Sequence, residues 1–450
     1  MEIKQNLEIK KIILEKFITH HNKLAPQQRT QEWYNIRKST IGGSEISTVL
    51  GLNPFKSKKQ LILDKIGISS FSGNINTRWG VLFENITKNW AQNVLLMEEE
   101  ILETGSIEGC INRQRYSPDG LGIVKLKYSD DTYDYFIVLF EFKAPLKSFP
   151  NGAIPKYYLP QINTGLLNIS IADTAIFINN SYRKCPLSKF GFNPDYDEKF
   201  HAADFKKKKY GLTKNKVLAC GIICFYQSQS DLDRLIKHLG YDEANDDGMR
   251  KEEQDEALND ELDYKYGDVE LLVDSVSKPT DFGKSSYFDF NRLLELIEMK
   301  RVIPHYCSVI HNYKESNKLE FIDTHSLQSK KIIKNPNCIA KDQIEKFQNV
   351  CRNDNNVMVG YLPWKLLKSD IILGDRDDNW RNIIESPIKE TLDIIDRINI
   401  SENPLDEFNR LFNATDNATD NETDNDLNDE ICNEFSSIFS LESDKLYKRI

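Results

Sequence analysis

The stretch Tyr135 to Pro145, "YFIVLFEFKAP", begins as an ordinary buried strand and ends as something else. Six apolar residues in succession suit a strand covered on both faces. Glu141 and Lys143 then stand two residues apart, and on an extended chain such residues project to the same side. Fifteen residues upstream lies "YSPDG", a turn sequence carrying Asp119. If "LGIVKLKY" and "YFIVLFEFK" pair across "SDDTYD", Asp119 returns beside Glu141, and two carboxylates and a lysine meet at one end of a sheet. Close carboxylates repel, so each is costly to ionise unless a cation shares the site. Magnesium, a hard ion that keeps water and substrate phosphate in its shell, suits such oxygen donors. The chemistry open to it is metal-assisted phosphodiester hydrolysis, with Lys143 orienting water or offsetting charge on the phosphate. Taken alone, the pattern D…ExK is weak, and most isolated matches are a surface aspartate in a turn and a Glu–Lys pair at a strand end.

The remainder of the chain bounds this reading. Its 450 residues suffice for one large or two ordinary domains, and 40% hydrophobic content is that of a globular protein. The start, "MEIKQNLEIKKIILEKF", interleaves charge with apolar residues and reads as neither signal peptide nor anchor, so an intracellular, soluble protein is expected. The eight cysteines form no CxxC pair, and "CGIIC" (Cys220–Cys224) reads as buried small hydrophobes. A net charge of −10 looks unfavourable for a polyanion substrate, but residues 242–262 carry −8 and residues 402–430 carry −9, which leaves +7 elsewhere.

Periodicity divides the chain into an amphipathic helix and linker (1–28), a core (29–227), an acidic insertion or accessory subdomain (228–350), the end of the core (351–400) and an acidic low-complexity tail (401–450). Helices are expected over 29–70 with a break at Gly42–Gly43, over 78–94, over 157–168 and over 380–398 with a local break at Pro387. "DTAIFIN", "KVLACGIICFYQ" and "NVMVGYLPWKLL" read as three strands of one sheet. The repeat "NATDNATDNETD" (Asn413–Asp424) reads as disordered. "FKKKKYGLTKNK" (205–216) reads as a solvated loop, with backbone contact to DNA as the functional alternative.

Further blocks accompany the D…ExK pattern in order: "EWYNIRKSTIGGSEISTVLGLNPF", "RWGVLFE", "YSPDG", "FEFKAP" and "YYLPQINTGL", all within residues 32–167. In these the chain resembles the lambda-exonuclease family of PD-(D/E)xK nucleases, especially its YqaJ-like viral-recombinase branch. The resemblance implies an α/β restriction-endonuclease-like core, a mixed central sheet flanked by helices, with an accessory insertion. It implies Asp119 and Glu141 as metal ligands, helped by the Phe142 carbonyl and by Glu84. Lys143 would be the catalytic lysine and Gln161 would complete the site. Arg37 and Ser44, with Ser117, would bind the 5′ phosphate of a DNA end. The residues themselves admit plainer readings: Glu84 as a solvated helix acid, Ser44 as a helix N-cap, Arg37 as a surface ion-pair partner. Gly80, one turn before Glu84, leaves room beside that carboxylate.

The activity implied is a Mg²⁺-dependent exonuclease, with Mn²⁺ as a substitute, degrading the 5′-ended strand of duplex DNA ends to 5′ mononucleotides for recombination or repair. A single-strand annealing protein and a ring-forming homo-oligomer are the implied partners, and a viral chain would work in the host cytoplasm or nucleus. An endonuclease with the same metal site and a non-catalytic DNA-binding scaffold are the alternatives.

Overall fold

The computed structural model describes residues 2–24, 26, 30–69, 73–127, 132–191, 217–238, 279–312, 319–323, 326–333 and 336–416. The runs 205–216 and 242–262, and the repeat beyond residue 416, lie outside them. Two sheets organise the chain. A small one joins β1 (Ile41–Gly42), β2 (Ile107–Glu108) and β3 (Gln114–Tyr116), with β3 in the middle. The large one contains β4 (Gly120–Lys127), β5 (Tyr133–Lys143), β6 (Thr174–Lys184), β7 (Ala219–Ser228), β8 (Thr280–Asp281), β9 (Ile303–Asn312), β10 (Leu319–Asp323), β11 (Ser326–Ile333) and β12 (Asn356–Gly374). Its order is β11-β10-β9-β7-β12-β6-β5-β4, with β8 beside β12.

The expected hairpin is present. β4 and β5 are antiparallel in the register Gly120↔Phe140 through Lys127↔Tyr133, which sets Asp119 opposite Glu141. The chain then crosses over through helix α6 (Leu159–Asn168) to β6, which runs parallel to β5 from Val138↔Thr174 to Lys143↔Asn179. Parallel neighbours require such a crossover. The three apolar runs expected to share a sheet do so as adjacent strands, with β12 between β6 and β7. This is the expected α/β core, a mixed central sheet flanked by helices.

Five helices precede the hairpin: α1 (Glu2–Leu24), α2 (Gln31–Lys38), α3 (Ile46–Val49), α4 (Lys58–Lys65) and α5 (Ile75–Val94); α6 is Leu159–Asn168. On one side of the sheet α5 buries Trp79, Leu82, Phe83, Ile86 and Trp90 against Phe140, Phe142, Ile176 and Ile178. On the other, α6 and α1 (through Leu7 and Leu14) cover Leu139, Ile137 and Phe177. The strand that looked apolar on both faces is thus covered on both. Residues 279–312 and 336–353 also lie on this frame: β9 pairs with β7, and Phe290, Leu293 and Leu294 of the helix Tyr287–Glu298 join the α5 core.

Two local expectations are corrected. The helix Trp380–Asn399 runs through Pro387 without a break, with the Thr391 hydroxyl donating to the Pro387 carbonyl at 2.7 Å. Its buried stripe (Ile384, Ile388, Leu392, Ile395) outweighs the hydrogen bond proline removes. The helix Pro404–Asp416 takes up the start of the repeat expected to be disordered, anchored by the buried Phe408. Cys185, Cys220, Cys224, Cys307 and Cys351 are buried free thiols, as small hydrophobes would be, whereas Cys110 is exposed. Among the described residues no helix is long and apolar enough to cross a membrane.

Candidate active site

The hairpin register delivers the carboxylates. Asp119, at the turn entering β4, accepts a hydrogen bond from the Phe142 backbone N–H at 2.7 Å. Glu141 is fully buried, its Oε1 held by the Lys143 ammonium and its Oε2 by the Tyr116 hydroxyl at 3.2 Å. Lys143 in turn sits over the Tyr158 ring, 4.9 Å from its centroid. Loss of solvent and the Glu141 charge push the Asp119 carboxyl up to about 7. Burial alone would lower Lys143, but Glu141 and Asp119 raise it above the ordinary lysine range, so it is an ammonium at neutral pH.

Tyr116, which the sequence reading used only as the first letter of a motif, is the group that fixes Glu141. Its ring lies in a slot between two glycines. A Cβ on Gly43 would stand 2.3 Å from the ring, and one on Gly165 would stand 2.6 Å from the hydroxyl oxygen. Burial, Glu141 and Asp119 raise its phenol, which keeps it a donor. The glycine pair that interrupts the first helices therefore serves a contact 73 residues downstream, between Gly43 and Tyr116.

A second charged cluster forms around Glu45, in the single 3-10 turn Gly43–Glu45 that follows β1. Its Oε2 accepts from the Gly42 N–H at 2.8 Å and from Lys65 at 2.7 Å, and its Oε1 accepts from Arg37 at 3.1 Å. Lys65, 7% exposed, spends its other two hydrogens on the carbonyls of Arg37 and Thr40, at 2.6 and 2.7 Å. Burial alone would raise Glu45, yet Lys65 and Arg37 bring it down to about 2. The Arg37 guanidinium also lies 4.6 Å over the Trp33 ring. Neither Glu45 nor Lys65 was singled out from sequence, where Lys65 reads as an ordinary lysine near the end of a helix.

The other predicted residues are placed as follows. Ser44 is exposed inside the Gly43–Glu45 turn; it does not cap a helix, because the N-cap position of the following helix falls on Glu45. Ser117 is half-buried between Tyr116 and Pro118. Gln161 is half-buried in the first turn of α6, directly after Pro160. Glu84 is half-buried on α5, and a Cβ on Gly80 would meet open space, as expected of a residue that leaves room. Asp119, Glu141, Lys143 and the Phe142 backbone come together directly. Among the described residues no group of three His, Cys, Asp or Glu side chains is arranged to hold a metal ion.

The donor chemistry of that pair fits a divalent cation. Two carboxylates facing one ammonium leave a negative charge unmatched, and the rise in Asp119 reflects first its burial and then the Glu141 repulsion that a cation would relieve. With two carboxylates from the protein, the ion would keep water and substrate oxygens, as magnesium does.

Residues 32–103 match the family model of the YqaJ-like viral recombinase domain. A protein of African swine fever virus (Badajoz strain) is 29% identical over 197 residues, covering 39% of this chain and 56% of the relative. Its counterpart in the South African Pretoriuskop tick isolate is 28% identical over the same length and shares. The chain thus spans about half the length of the curated relatives it matches. Among solved structures, an alkaline exonuclease from Laribacter hongkongensis is 20% identical, covering 34% of this chain and 74% of that one, with a TM-score of 0.25.

Proposed function

We propose, from a chain whose residues 32–103 match the model of the YqaJ-like viral recombinase domain, a Mg²⁺-dependent exonuclease that degrades the 5′-ended strand of duplex DNA and releases 5′ mononucleotides. The observation that carries this reading is the Asp119–Glu141 pair, aligned by the β4–β5 register and unbalanced by one charge. Asp119 and Glu141, with the Phe142 carbonyl, would hold Mg²⁺ (or Mn²⁺ in its place), and Glu84 would assist from α5. When bound there, the cation supplies a lower pKa to water, polarisation of the phosphoryl oxygen and support for the leaving alkoxide.

The chain's own groups do the rest. Tyr116 and Lys143 fix the two oxygens of Glu141, so that this carboxylate presents one orientation. Lys143, an ammonium anchored on Glu141 and Tyr158, places positive charge where the phosphate accumulates negative charge. Gln161 would complete the site from the first turn of α6. Arg37, steered by Glu45, would take the 5′ phosphate of the DNA end with Ser44 and Ser117, a guanidinium–phosphate pairing that can be bidentate. The products suit recombination or repair with a single-strand annealing partner, and a homo-oligomer would confer processivity. A viral protein of this kind acts in host cytoplasm or nucleus.

The test is digestion of linear duplex DNA, with and without a 5′ phosphate, in Mg²⁺ or EDTA, by wild type and Lys143→Ala. Metal-dependent release of mononucleotides from phosphorylated ends, lost in the variant, is expected. Cutting of closed circles would instead assign an endonuclease. Absence of cleavage under any divalent metal would leave a DNA-binding scaffold.

A further inference from the structure

Phe55 stands 79% exposed in the turn "GLNPF", where an apolar ring of that size loses most of the benefit of burial. The turn holding it is ordered. The Asn53 N–H bonds to the Ser47 carbonyl at 3.1 Å, the Asn53 side-chain amide donates to the Thr48 hydroxyl at 2.9 Å, and the Phe55 N–H donates to the Asn53 side-chain oxygen at 2.9 Å. Ile400 and Phe288 are about as exposed, but Phe55 is the one whose ring continues, ring by ring, to the active site. Its edge meets Tyr157 at 5.4 Å, Tyr157 meets Tyr158 at 4.4 Å, and Tyr158 carries the Lys143 ammonium at 4.9 Å. The lysines next to it in sequence are engaged elsewhere, Lys56 with Asp64 at 2.5 Å and Lys59 over the Phe412 ring at 5.5 Å, so the ring itself is what the turn presents.

We propose that Phe55, backed by Tyr157, is a stacking platform for a nucleobase of the DNA strand led to Lys143. Every base offers a π-face, so a single ring on a fixed turn can engage a strand regardless of sequence, and its order in the free protein lowers the entropic cost of binding. The aromatic steps from Phe55 to Tyr158 give the platform a fixed position relative to Lys143. A fully exposed phenylalanine facing only water would have no such neighbours to determine where it stands. The inference rests on the nuclease reading and adds to it the face that receives the base.

The experiment is equilibrium binding of the full chain, in EDTA, to a short 5′-phosphorylated duplex bearing 2-aminopurine as its terminal base, using wild type, Phe55→Ala and Phe55→Trp. Quenching of 2-aminopurine by wild type and Phe55→Trp is expected, with Phe55→Ala losing the quench and binding about tenfold more weakly, the equivalent of ~1.4 kcal/mol. Because the ring is exposed, the alanine variant should unfold at the wild-type denaturant midpoint, which separates lost stacking from lost structure. Equal quenching and affinity in Phe55→Ala would overturn the platform and leave the nuclease reading intact. A wild type that neither binds this duplex nor cleaves it in Mg²⁺ would overturn both.

Discussion

Two buried charged clusters sit on either side of Tyr116, and they are built on opposite principles. Around Glu45, one carboxylate faces two cations, every hydrogen of Lys65 has an acceptor, and the acid falls to about 2. Around Glu141, two carboxylates share one ammonium, and Asp119 rises to about 7. The first has its hydrogen bonds complete and leaves its surplus positive charge on Arg37, which is a third exposed. The second is left one charge short, and a buried cluster in that condition is stable enough to persist only because the surrounding sheet determines its geometry. The difference separates support from chemistry: the satisfied cluster presents Arg37, and the unsatisfied one is where an outside cation and a phosphate have something to gain.

The largest effect is expected in the satisfied cluster. Lys65→Met would leave Glu45 buried with Arg37 alone and abandon the carbonyls of Arg37 and Thr40. Removing one partner of a buried pair costs about 3–5 kcal/mol, far above the ~0–1 kcal/mol of a surface ion pair. Urea denaturation measures it directly. A loss under ~1 kcal/mol would mean that the cluster is solvated and the contrast with Glu141 is false.

The same cluster sets an acid limb. Glu45 has a folded pKa below its unfolded value of 4.5, so its contribution is fully present above that value and is lost as pH falls toward about 2. The magnitude is about 3 kcal/mol, from a shift of that size at 1.36 kcal/mol per pKa unit. Unfolding free energy measured from pH 6 to pH 2 should decline through this window in wild type and flatten in Glu45→Gln. Parallel curves for the two proteins would remove Glu45 from the account.

How far these clusters were legible in the sequence follows from what each depends on. The Asp119–Glu141–Lys143 group could be placed because it needs only strand alternation and one hairpin, both local rules. That β6, β7 and β12 share one sheet was readable for a similar reason, since apolar runs of strand length have few other places to go; their order, with β12 in the middle, was not. The Glu45–Lys65 pair was not readable, because two helices and a turn must first pack before the lysine is known to point inward. Tyr116 was missed on the same ground: its slot is made by glycines 73 residues upstream and 49 residues downstream, and no spacing rule links them. Pro387 misled because a breaker weighs heavily in a local reading, whereas the buried stripe of its helix counts only once the helix is docked.

If the proposed function holds, the unsatisfied cluster should respond to added Mg²⁺ without any turnover. Mg²⁺ at about a hundredfold over its Kd would stabilise the fold by ~2.7 kcal/mol if it binds only the native state. Asp119→Asn should lose most of that gain, while Glu45→Gln should keep it. Thermal unfolding with and without Mg²⁺ distinguishes them, and equal stabilisation of all three proteins would place the ion elsewhere.

The smallest effect concerns the part shared by both clusters. Alanine is ordinarily better than glycine inside a helix by ~1 kcal/mol, so Gly165→Ala in α6 should stabilise if only backbone entropy counted. Here the added methyl would stand 2.5 Å from a Leu139 methyl and 2.6 Å from the Tyr116 hydroxyl oxygen. Overpacking of this kind costs ~1–3 kcal/mol, and the ring must give way, carrying its hydroxyl off Glu141. Net destabilisation of about 1 kcal/mol is expected, with a fall in nuclease rate that Tyr116→Phe reproduces without the packing penalty. In the double variant the two rate losses should not add, because each removes the same 3.2 Å hydrogen bond. If Gly165→Ala is destabilised but cuts at the wild-type rate, Tyr116 is a packing residue alone, and the satisfied cluster has no mechanical hold on the unsatisfied one.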